Sequence, residues 1–354
     1  MARMRVVVTG ATGNVGTSVL AALEREPLVT SVLGLARRLP EPAVGEAFPK
    51  ATFAAADVTQ DDLVPHLRGA AAVVHLAWLI QPSRDKATLA RTNVIGSQRL
   101  FDAAVAAGVP ALVHASSIGV YSPGPGARRV DESWPRDGVP TSWYSRHKAE
   151  VERRLDRLED DRPDLRVVRL RPAFSMKRAA ASGQRRLFLG PFLPTPLVKP
   201  GRVPFVPDVP GLSVQVVHAD DVGEAYRLAV VRDVRGPFNV AAEPVLSPQE
   251  IAAALGSRTL RVPARALRLL AGASWLARLQ PTSPDWVDLA LAVPMLDTAR
   301  ARSELGWEPR RTGPEVVREW FTGAHEAAGL GTAPLEPGHR LDELTTGVGG
   351  RENL

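Results

Sequence analysis

One stretch decides how the chain begins to fold, and it reads Arg5-Val6-Val7-Val8-Thr9-Gly10-Ala11-Thr12-Gly13-Asn14-Val15-Gly16. Its three consecutive valines predict a buried strand, and the apolar periodicity of residues 15–26 predicts a helix directly after it. Glycines between a strand and a helix allow a tight turn, and the free N–H groups at the helix start attract an anion. The spacing G-x-x-G-x-x-G in this position predicts a phosphate-binding loop. The loop residues expected to bind are Gly10, Thr12, Gly13, Asn14, Val15 and Gly16.

Short apolar runs alternate with helical patterns through the first 171 residues. Strands are predicted at residues 5–9, 32–36, 72–76, 111–116 and 166–170, and helices at residues 15–26, 61–67, 86–107 and 145–159. This alternation predicts an α/β fold with a doubly wound parallel sheet, which binds ligands at the carboxyl ends of its strands. We expect residues 1–171 and 212–242 to form the nucleotide-binding domain, residues 172–211 and 243–330 a smaller, mostly helical substrate domain, and residues 331–354 a C-terminal tail.

The end of the second predicted strand bears on the choice of cofactor. In this kind of fold an acidic residue there binds the adenosine ribose of NAD. Here the strand leads into Arg37 and Arg38, and two guanidinium groups suit the 2′-phosphate of NADP(H). The sequence therefore favours NADP(H), with NAD(H) as the other option if these arginines are only surface residues.

A tyrosine and a lysine stand four residues apart in a chain that has only three tyrosines and five lysines. Tyr144 and Lys148 lie on one face of a predicted helix because residues i and i+4 are neighbours there. A nearby ammonium group favours the phenolate, which brings a tyrosine closer to acid–base catalysis at neutral pH. Ser116 and Ser117 follow the fourth predicted strand, where a hydroxyl is available to hold a substrate oxygen.

These and other motifs, in this order, resemble the extended short-chain dehydrogenase/reductases, also called the NAD-dependent epimerase/dehydratase family. The resemblance covers about residues 5–320. The motifs that carry it are TGATGNVG (9–16), Asp57-Val58, His75-Leu76-Ala77, NVIG (93–96), HASSIGVY (114–121), YSRHK (144–148), RPAF (171–174), VHADDVGEA (217–225), FNVAAE (238–243) and LDTARARSELGWEP (296–309).

The resemblance implies a Rossmann fold and assigns a role to each matching residue. It makes Tyr144 the catalytic acid–base, Lys148 the group that binds the nicotinamide ribose, and Ser117 the donor to the substrate oxygen, with Ser116 as the second candidate. Further cofactor contacts are expected from Asp57, Val58, Ala77, Asn93 and Pro172. Substrate contacts are expected from Tyr121, Phe174 and Arg185.

Two departures from the family bear on the reaction. Phe174 stands where sugar-nucleotide enzymes have asparagine, and Ile118-Gly119 replaces the acid pair of the dehydratases. An apolar ring in place of an amide removes a hydrogen-bond partner from the substrate site. The sequence therefore favours an NADP(H)-dependent oxidoreductase that interconverts a carbonyl and an alcohol.

Two alternatives stay open. One is an NAD-dependent sugar-nucleotide epimerase or dehydratase, for which arginines of the substrate region such as Arg185 would hold a pyrophosphate. The other is a cofactor-sensing regulator without catalysis. Such regulators typically lose the tyrosine or the lysine, whereas this chain has both.

Composition excludes several other classes of protein. The chain has 354 residues, no cysteine and a formal net charge of +6. The absence of cysteine rules out disulfides and thiolate metal sites and fits a cytoplasmic protein. The arginines are scattered among acids, so no nucleic acid is expected as a partner. No apolar run reaches the length of a membrane span, so no stable membrane insertion is expected. The histidines lack metal-binding spacing, so no metal is expected. The expected partners are a small-molecule substrate and, from the family resemblance, a second copy in a homodimer.

One segment allows two interpretations. Residues 265–279 combine leucines and a tryptophan with Arg265, Arg268 and Arg278. Packing of this helix on the substrate domain is favoured, and binding to a membrane surface is the alternative.

Overall fold

The computed structural model describes residues 3–81, 83–124, 128–188 and 198–337. In chain order its strands are β1 (Met4–Thr9), β2 (Val29–Ala36), β3 (Ala51–Ala55), β4 (Ala72–His75), β5 (Ala111–Ala115), β6 (Arg129–Val130), β7 (Arg166–Pro172), β8 (Phe174–Met176), β9 (Phe205–Asp208), β10 (Val216–His218), β11 (Gly236–Val240), β12 (Arg258–Arg261) and β13 (Met295–Leu296). Its α-helices are α1 (Asn14–Glu24), α2 (Pro42–Glu46), α3 (Val64–Leu67), α4 (Lys86–Ala90), α5 (Gly96–Ala106), α6 (Trp143–Asp161), α7 (Ala181–Phe188), α8 (Ala219–Val231), α9 (Pro248–Leu255), α10 (Ala264–Leu276), α11 (Asp285–Ala292), α12 (Ala299–Ser303) and α13 (Gly313–His325).

The central sheet has seven strands in the order β3-β2-β1-β4-β5-β7-β11, and all of its pairs are parallel. The chain leaves β1 toward β2 on one side and later returns to β4 on the other. A crevice therefore opens at the carboxyl ends of β1 and β4, where doubly wound sheets bind their ligands. This confirms the predicted doubly wound Rossmann sheet.

Apolar strands form the core between two layers of helices. Val6, Val7 and Val8 of β1 are fully buried, since the side chains of this central strand meet helices on both faces. One of the two large apolar clusters holds Val6 and Val8 together with residues of α1 and α8, and the other holds Val7 with residues of α5 and α6. The run of valines thus has no solvent-facing side.

Two details differ from the sequence prediction. The edge strand β3 was missed, because its alanine-rich sequence carries little apolar pattern and none of its residues is buried. The helix predicted at residues 86–107 is divided into α4 and α5 by a π-helical turn at Arg91–Ile95. Such turns frequently occur beside functional sites, and this one carries Asn93.

The remaining strands form three two-stranded parallel sheets, in which β8 pairs with β10, β9 with β12, and β6 with β13. In the described residues beyond β11, the longer elements are the helices α9 to α13. Residues 331–337 of the predicted tail, which are the part of it that the structure describes, return to the carboxyl edge of the main sheet. The boundaries of the two domains remain a prediction.

Candidate active site

A cavity of about 840 Å³ lies at the carboxyl edge of the main sheet. Most residues predicted to bind or to react contribute to its wall, although they come from seven separate parts of the sequence. These residues are Gly10, Thr12, Gly13, Asn14, Val15, Gly16, Arg37, Arg38, Asp57, Val58, Ala77, Ser117, Tyr144, Lys148, Pro172 and Phe174. Three predicted residues, Asn93, Tyr121 and Arg185, are not among those that line it.

The glycine loop is held by contacts that leave no space for side chains. Gly10 has a positive φ of 67°, and a Cβ there would lie 2.8 Å from the backbone N of Ala77. A Cβ on Gly16 would lie 2.2 Å from the carbonyl oxygen of Gly10, so the first turn of α1 packs directly on the loop. Gly13 precedes α1 without a side-chain cap, and the first turn of the helix has no acidic residue. The free N–H groups of this helix start therefore suit a phosphate.

Tyr144 and Ser117 meet across the cavity floor. The Ser117 oxygen accepts the N–H of Gly119 at 3.0 Å. Burial raises the pKa of Tyr144 to about 12, and the nearby Ser117 hydroxyl opposes that shift. A Cβ on Gly119 would lie 2.9 Å from Cε1 of Tyr144. The tyrosine ring thus occupies the space beside Gly119, a requirement for glycine that the sequence analysis missed.

Lys148 lies one helical turn after Tyr144 on α6. Its Nζ donates to the Ala115 carbonyl at 2.7 Å and lies 3.4 Å from the ring centroid of Trp78. Burial lowers its pKa to about 7, and the charge of Glu152 opposes that shift. The distance from Nζ to the centroid of the Tyr144 ring is 5.9 Å. The ammonium group is therefore near enough to favour the phenolate whenever it carries its proton.

A buried polar network lies beneath Ser117, Tyr144 and Lys148. Ser116 donates to Glu152, and Nε of Arg171 donates to the same carboxylate at 2.8 Å. Because the Ser116 hydroxyl is bound there, Ser117 is the serine that faces Tyr144. Arg171 also donates to the Tyr121 hydroxyl at 2.9 Å, and that hydroxyl donates to Asn239 at 2.6 Å. The expected substrate contact of Tyr121 is thus wrong, since its fully buried ring supports β7 and β11 from inside the core.

Arg37 and Arg38 follow β2 at the far end of the cavity and are exposed. Burial of part of its guanidinium lowers the pKa of Arg37, and the nearby Asp57 opposes this. The Asp57 carboxylate accepts the N–H and the hydroxyl of Thr59 at 2.8 and 2.7 Å. Asp57 therefore stabilises its own turn in addition to lining the cavity, and the two arginines are the cations at this end.

Asn93 and Arg185 lie elsewhere than the family resemblance implied. The Asn93 amide accepts the N–H of Leu79 at 2.7 Å and donates to the Leu79 carbonyl at 2.8 Å. It thus fixes the segment after β4, whose residues 76–81 line the cavity, and acts on the site through that segment. Arg185 is 4% exposed and points into the protein. The arginine of α7 that lines the cavity is Arg186.

An aromatic wall faces Tyr144, and most of it was not predicted. The ring of Trp286 lies 5.1 Å from that of Tyr144 and 5.1 Å from that of Phe188. Phe188 in turn lies 5.6 Å from Phe174, and Trp78 closes the other side, 5.9 Å from Tyr144. Phe174 was predicted from the family motif. Trp78 directly follows the His75-Leu76-Ala77 motif, whereas Phe188 and Trp286 belong to segments without a motif. No local signal indicated that these rings would meet.

The C-terminal segment also contributes to the cavity. Ala333, Pro334 and Leu335 line it, and the backbone N–H of Glu41 donates to the Gly331 carbonyl at 2.8 Å. Gly183 of α7 packs directly beneath Pro334, since a Cβ there would lie 2.4 Å from the proline carbonyl. Residues 331–337, predicted as a tail, therefore belong to the site.

Comparisons with known proteins agree with this geometry. A model of the NAD dependent epimerase/dehydratase family matches residues 6–176. An uncharacterized protein of Mycobacterium tuberculosis is 26% identical over 355 residues, covering 95% of this chain and 86% of that protein. The NAD-dependent glucose-6-phosphate dehydrogenase of Haloferax volcanii is 31% identical over 186 residues, covering 47% of this chain and 66% of the dehydrogenase.

A solved structure shows the same fold over most of the chain. The UDP-glucose-4-epimerase of Stenotrophomonas maltophila, with bound NAD and formylated UDP-arabinopyranose, superimposes with a TM-score of 0.70 and 23% identity. The superposition covers 92% of this chain and 98% of the epimerase. Residues 6–176 thus match the model of the NAD dependent epimerase/dehydratase family, and nearly the whole chain shares the fold of this epimerase.

Proposed function

We propose that the chain is a nicotinamide-dependent enzyme whose reaction begins with hydride transfer at an alcohol or carbonyl carbon. The observation that carries this proposal is the single cavity wall shared by the glycine loop and by Ser117, Tyr144 and Lys148. A phosphate-binding loop at one end and an acid–base pair at the other are the two parts that such a reaction needs.

The chain's residues fit a dinucleotide along this cavity. The uncapped start of α1 would hold the pyrophosphate, Val58 the adenine, and Lys148 the ribose next to the nicotinamide. The bound dinucleotide supplies the hydride acceptor or donor. Tyr144 takes the proton of the substrate hydroxyl, or returns it to a carbonyl oxygen, while Ser117 donates a hydrogen bond to that oxygen.

The choice between NADP(H) and NAD(H) depends on Arg37 and Arg38. Both follow β2 at the far end of the cavity, and their guanidinium groups would favour the 2′-phosphate of NADP(H). The description of the matching family as NAD dependent, and the NAD bound to the superimposed epimerase, favour NAD(H) instead. The chain's own residues therefore support NADP(H), and NAD(H) is the other candidate.

For the overall reaction, the comparisons support the alternative from the sequence analysis better than its first choice. The matching family is one of epimerases and dehydratases, and the superimposed enzyme acts on a UDP-sugar. We therefore place a sugar-nucleotide reaction first. Within that class we favour epimerisation over dehydration. The dehydratases have an acid pair where this chain has Ile118-Gly119, and the Tyr144 ring fills the space that an acidic side chain at residue 119 would need.

A second candidate is a reductase of an apolar carbonyl compound. It is favoured by the aromatic wall of Trp78, Phe174, Phe188 and Trp286, since these rings offer a substrate a large apolar surface and few hydrogen-bond partners.

One experiment tests the proposal and separates the two candidates. The purified protein is denatured, the released nucleotide is identified, and the native protein is then assayed with UDP-sugars and with a panel of apolar ketones. Retained NAD⁺ with epimerisation in the absence of added cofactor supports the first candidate. Stoichiometric consumption of NADPH with a ketone supports the second. Tyr144→Phe is the control, and full activity of that variant in either assay contradicts the proposed chemistry.

A further inference from the structure

Helix α10 exposes an apolar face. None of its residues is buried. Of the nine large apolar side chains that are exposed in the described ranges, five lie between residues 260 and 279. They are Leu260, Leu269, Leu270, Leu276 and Leu279, and the exposed fractions of Leu269 and Leu276 are both 71%. Apolar surface concentrated in this way marks an interaction site more often than isolated exposed leucines do.

The helix has a clear inner and outer side. On the inner side, Nε1 of Trp275 donates to Ser83 at 3.2 Å, and the guanidinium of Arg84 stacks 4.1 Å above the same indole. With 3.6 residues per turn, Leu269, Ala273 and Leu276 come together on the opposite side. The favoured interpretation from the sequence, packing on the substrate domain, therefore holds for one side of α10 and leaves the leucine side in solvent.

The charges on α10 and on the residues directly before and after it have one sign. Residues 257–284 contain five arginines and no acidic residue. Arg268 pairs with Asp288 of α11 at 2.7 Å. The other four, all exposed, are Arg258, Arg261, Arg265 and Arg278. Leucines flanked by arginines are the pattern of a helix that lies in the headgroup region of a membrane.

We propose that the leucine face of α10, with the arginines around it, binds to the surface of a membrane that contains anionic lipids. A second copy of the chain fits this face less well, because a symmetric contact would bring two sets of arginines together without acids between them. Within the described ranges no helix is long and apolar enough to cross a membrane. The contact is therefore peripheral.

The inner side of the same helix lies beside the candidate active site. Ser83, which accepts the indole N–H of Trp275, donates to the carbonyl of Pro281 at 2.7 Å, and Pro281 lines the cavity. A membrane-bound chain would thus hold this wall of the cavity near the bilayer. Only this consequence rests on the proposed function, whereas binding to the membrane is independent of catalysis.

The test is sedimentation of the full chain with vesicles of phosphatidylcholine alone and of phosphatidylcholine mixed with phosphatidylglycerol. The wild type is expected to bind only the mixed vesicles, and less as salt is added. Leu269→Ser with Leu276→Ser removes apolar contact and should weaken binding about tenfold or more. Arg265→Ser with Arg278→Ser should weaken it to a similar extent, about tenfold.

A matched control removes the same charge elsewhere. Arg25→Ser with Arg128→Ser takes two exposed arginines from other surfaces and should leave binding unchanged. The proposal is overturned if the wild type ignores anionic vesicles, or if the leucine variant binds them as the wild type does. It is also overturned if the wild type binds no vesicles and forms dimers that the leucine variant cannot form. In that case the leucine face contacts a second copy of the chain. Since the readout is binding, loss of catalysis does not affect the outcome.

Discussion

The hydroxyl of Thr332 donates a 2.9 Å hydrogen bond to the carbonyl of Thr12, 320 residues earlier in the chain. Thr12 belongs to the glycine loop, and Thr332 is 3% exposed. The last described segment of the chain is thereby fastened to the loop that we propose to bind the pyrophosphate. A contact of this kind orders the loop before a ligand arrives, which lowers the entropic cost of binding.

Thr332→Val should therefore weaken dinucleotide binding. It keeps the shape of the side chain and removes its donor, so we expect the Kd for the dinucleotide to rise about three- to tenfold. Fluorescence titration of the nicotinamide measures this. Thr322→Val, which removes a hydroxyl bound to the Arg318 carbonyl on the exposed side of α13, is the control and should leave the Kd unchanged. Equal affinities for all three proteins would contradict the role of this segment.

Tyr144→Phe should separate chemistry from binding. The variant keeps the ring that packs against Gly119 and Trp286 and loses the hydroxyl that exchanges the proton. We expect the rate of hydride transfer to fall by about a hundredfold or more while the Kd for the dinucleotide stays the same. Single-turnover absorbance of the nicotinamide gives the rate. A normal rate would remove Tyr144 from the mechanism.

Gly119→Ala should impair catalysis through the position of the tyrosine. The added Cβ would lie 2.9 Å from Cε1 of Tyr144, so the ring has to move away from Ser117. We expect kcat to fall about tenfold or more with little change in the melting temperature. Gly45→Ala is the matched control, because a Cβ at that position meets nothing within 4 Å. If both variants keep wild-type kcat, the contact with Gly119 does not position the tyrosine.

Replacing Arg37 and Arg38 by serine tests the cofactor preference. If the two guanidinium groups bind a 2′-phosphate, the Kd for NADPH should rise about tenfold or more, and that for NADH should change little. Isothermal titration with both nucleotides provides the comparison, and Arg25→Ser serves as the control for charge. Equal losses for NADH and NADPH would mean that the arginines do not distinguish the two.

Lys148 should make the stability of the fold depend on pH. Burial lowers its pKa from 10.5 to about 7. Between these two values the unfolded chain holds a proton that the folded chain has lost, so the free energy of unfolding rises with pH across this window. Below about pH 7 both states are protonated and the cost of the buried charge is fully present.

Lys148→Met should remove this rise, so that urea unfolding of the variant shows a flatter pH profile between pH 7 and 10.5. Lys86→Met, at an exposed position, is the control and should follow the wild type. A parallel profile for Lys148→Met and the wild type would show that the lysine is not buried in solution.

Much of the fold and of the candidate site could be predicted from local sequence. The valine strand, the three glycines and the Tyr-Lys spacing each predict structure within one or two elements, and the structure places all of them at one edge of the sheet. The positions of Tyr121 and Arg185 could not be predicted from local sequence. Both are buried, and Tyr121 is held by Arg171 and Asn239 from distant parts of the chain.

The sequence by itself determined the doubly wound fold and predicted a phosphate loop and an acid–base pair, because periodicity, glycine geometry and residue spacing act over a few residues. Tertiary structure decided which serine faces Tyr144, which rings line the cavity, and that Thr332 contacts Thr12. These contacts join residues up to 320 positions apart, and no local pattern records which distant side chains the folded chain brings together. It also decided that one side of α10 faces solvent, since exposure depends on what the rest of the chain leaves uncovered.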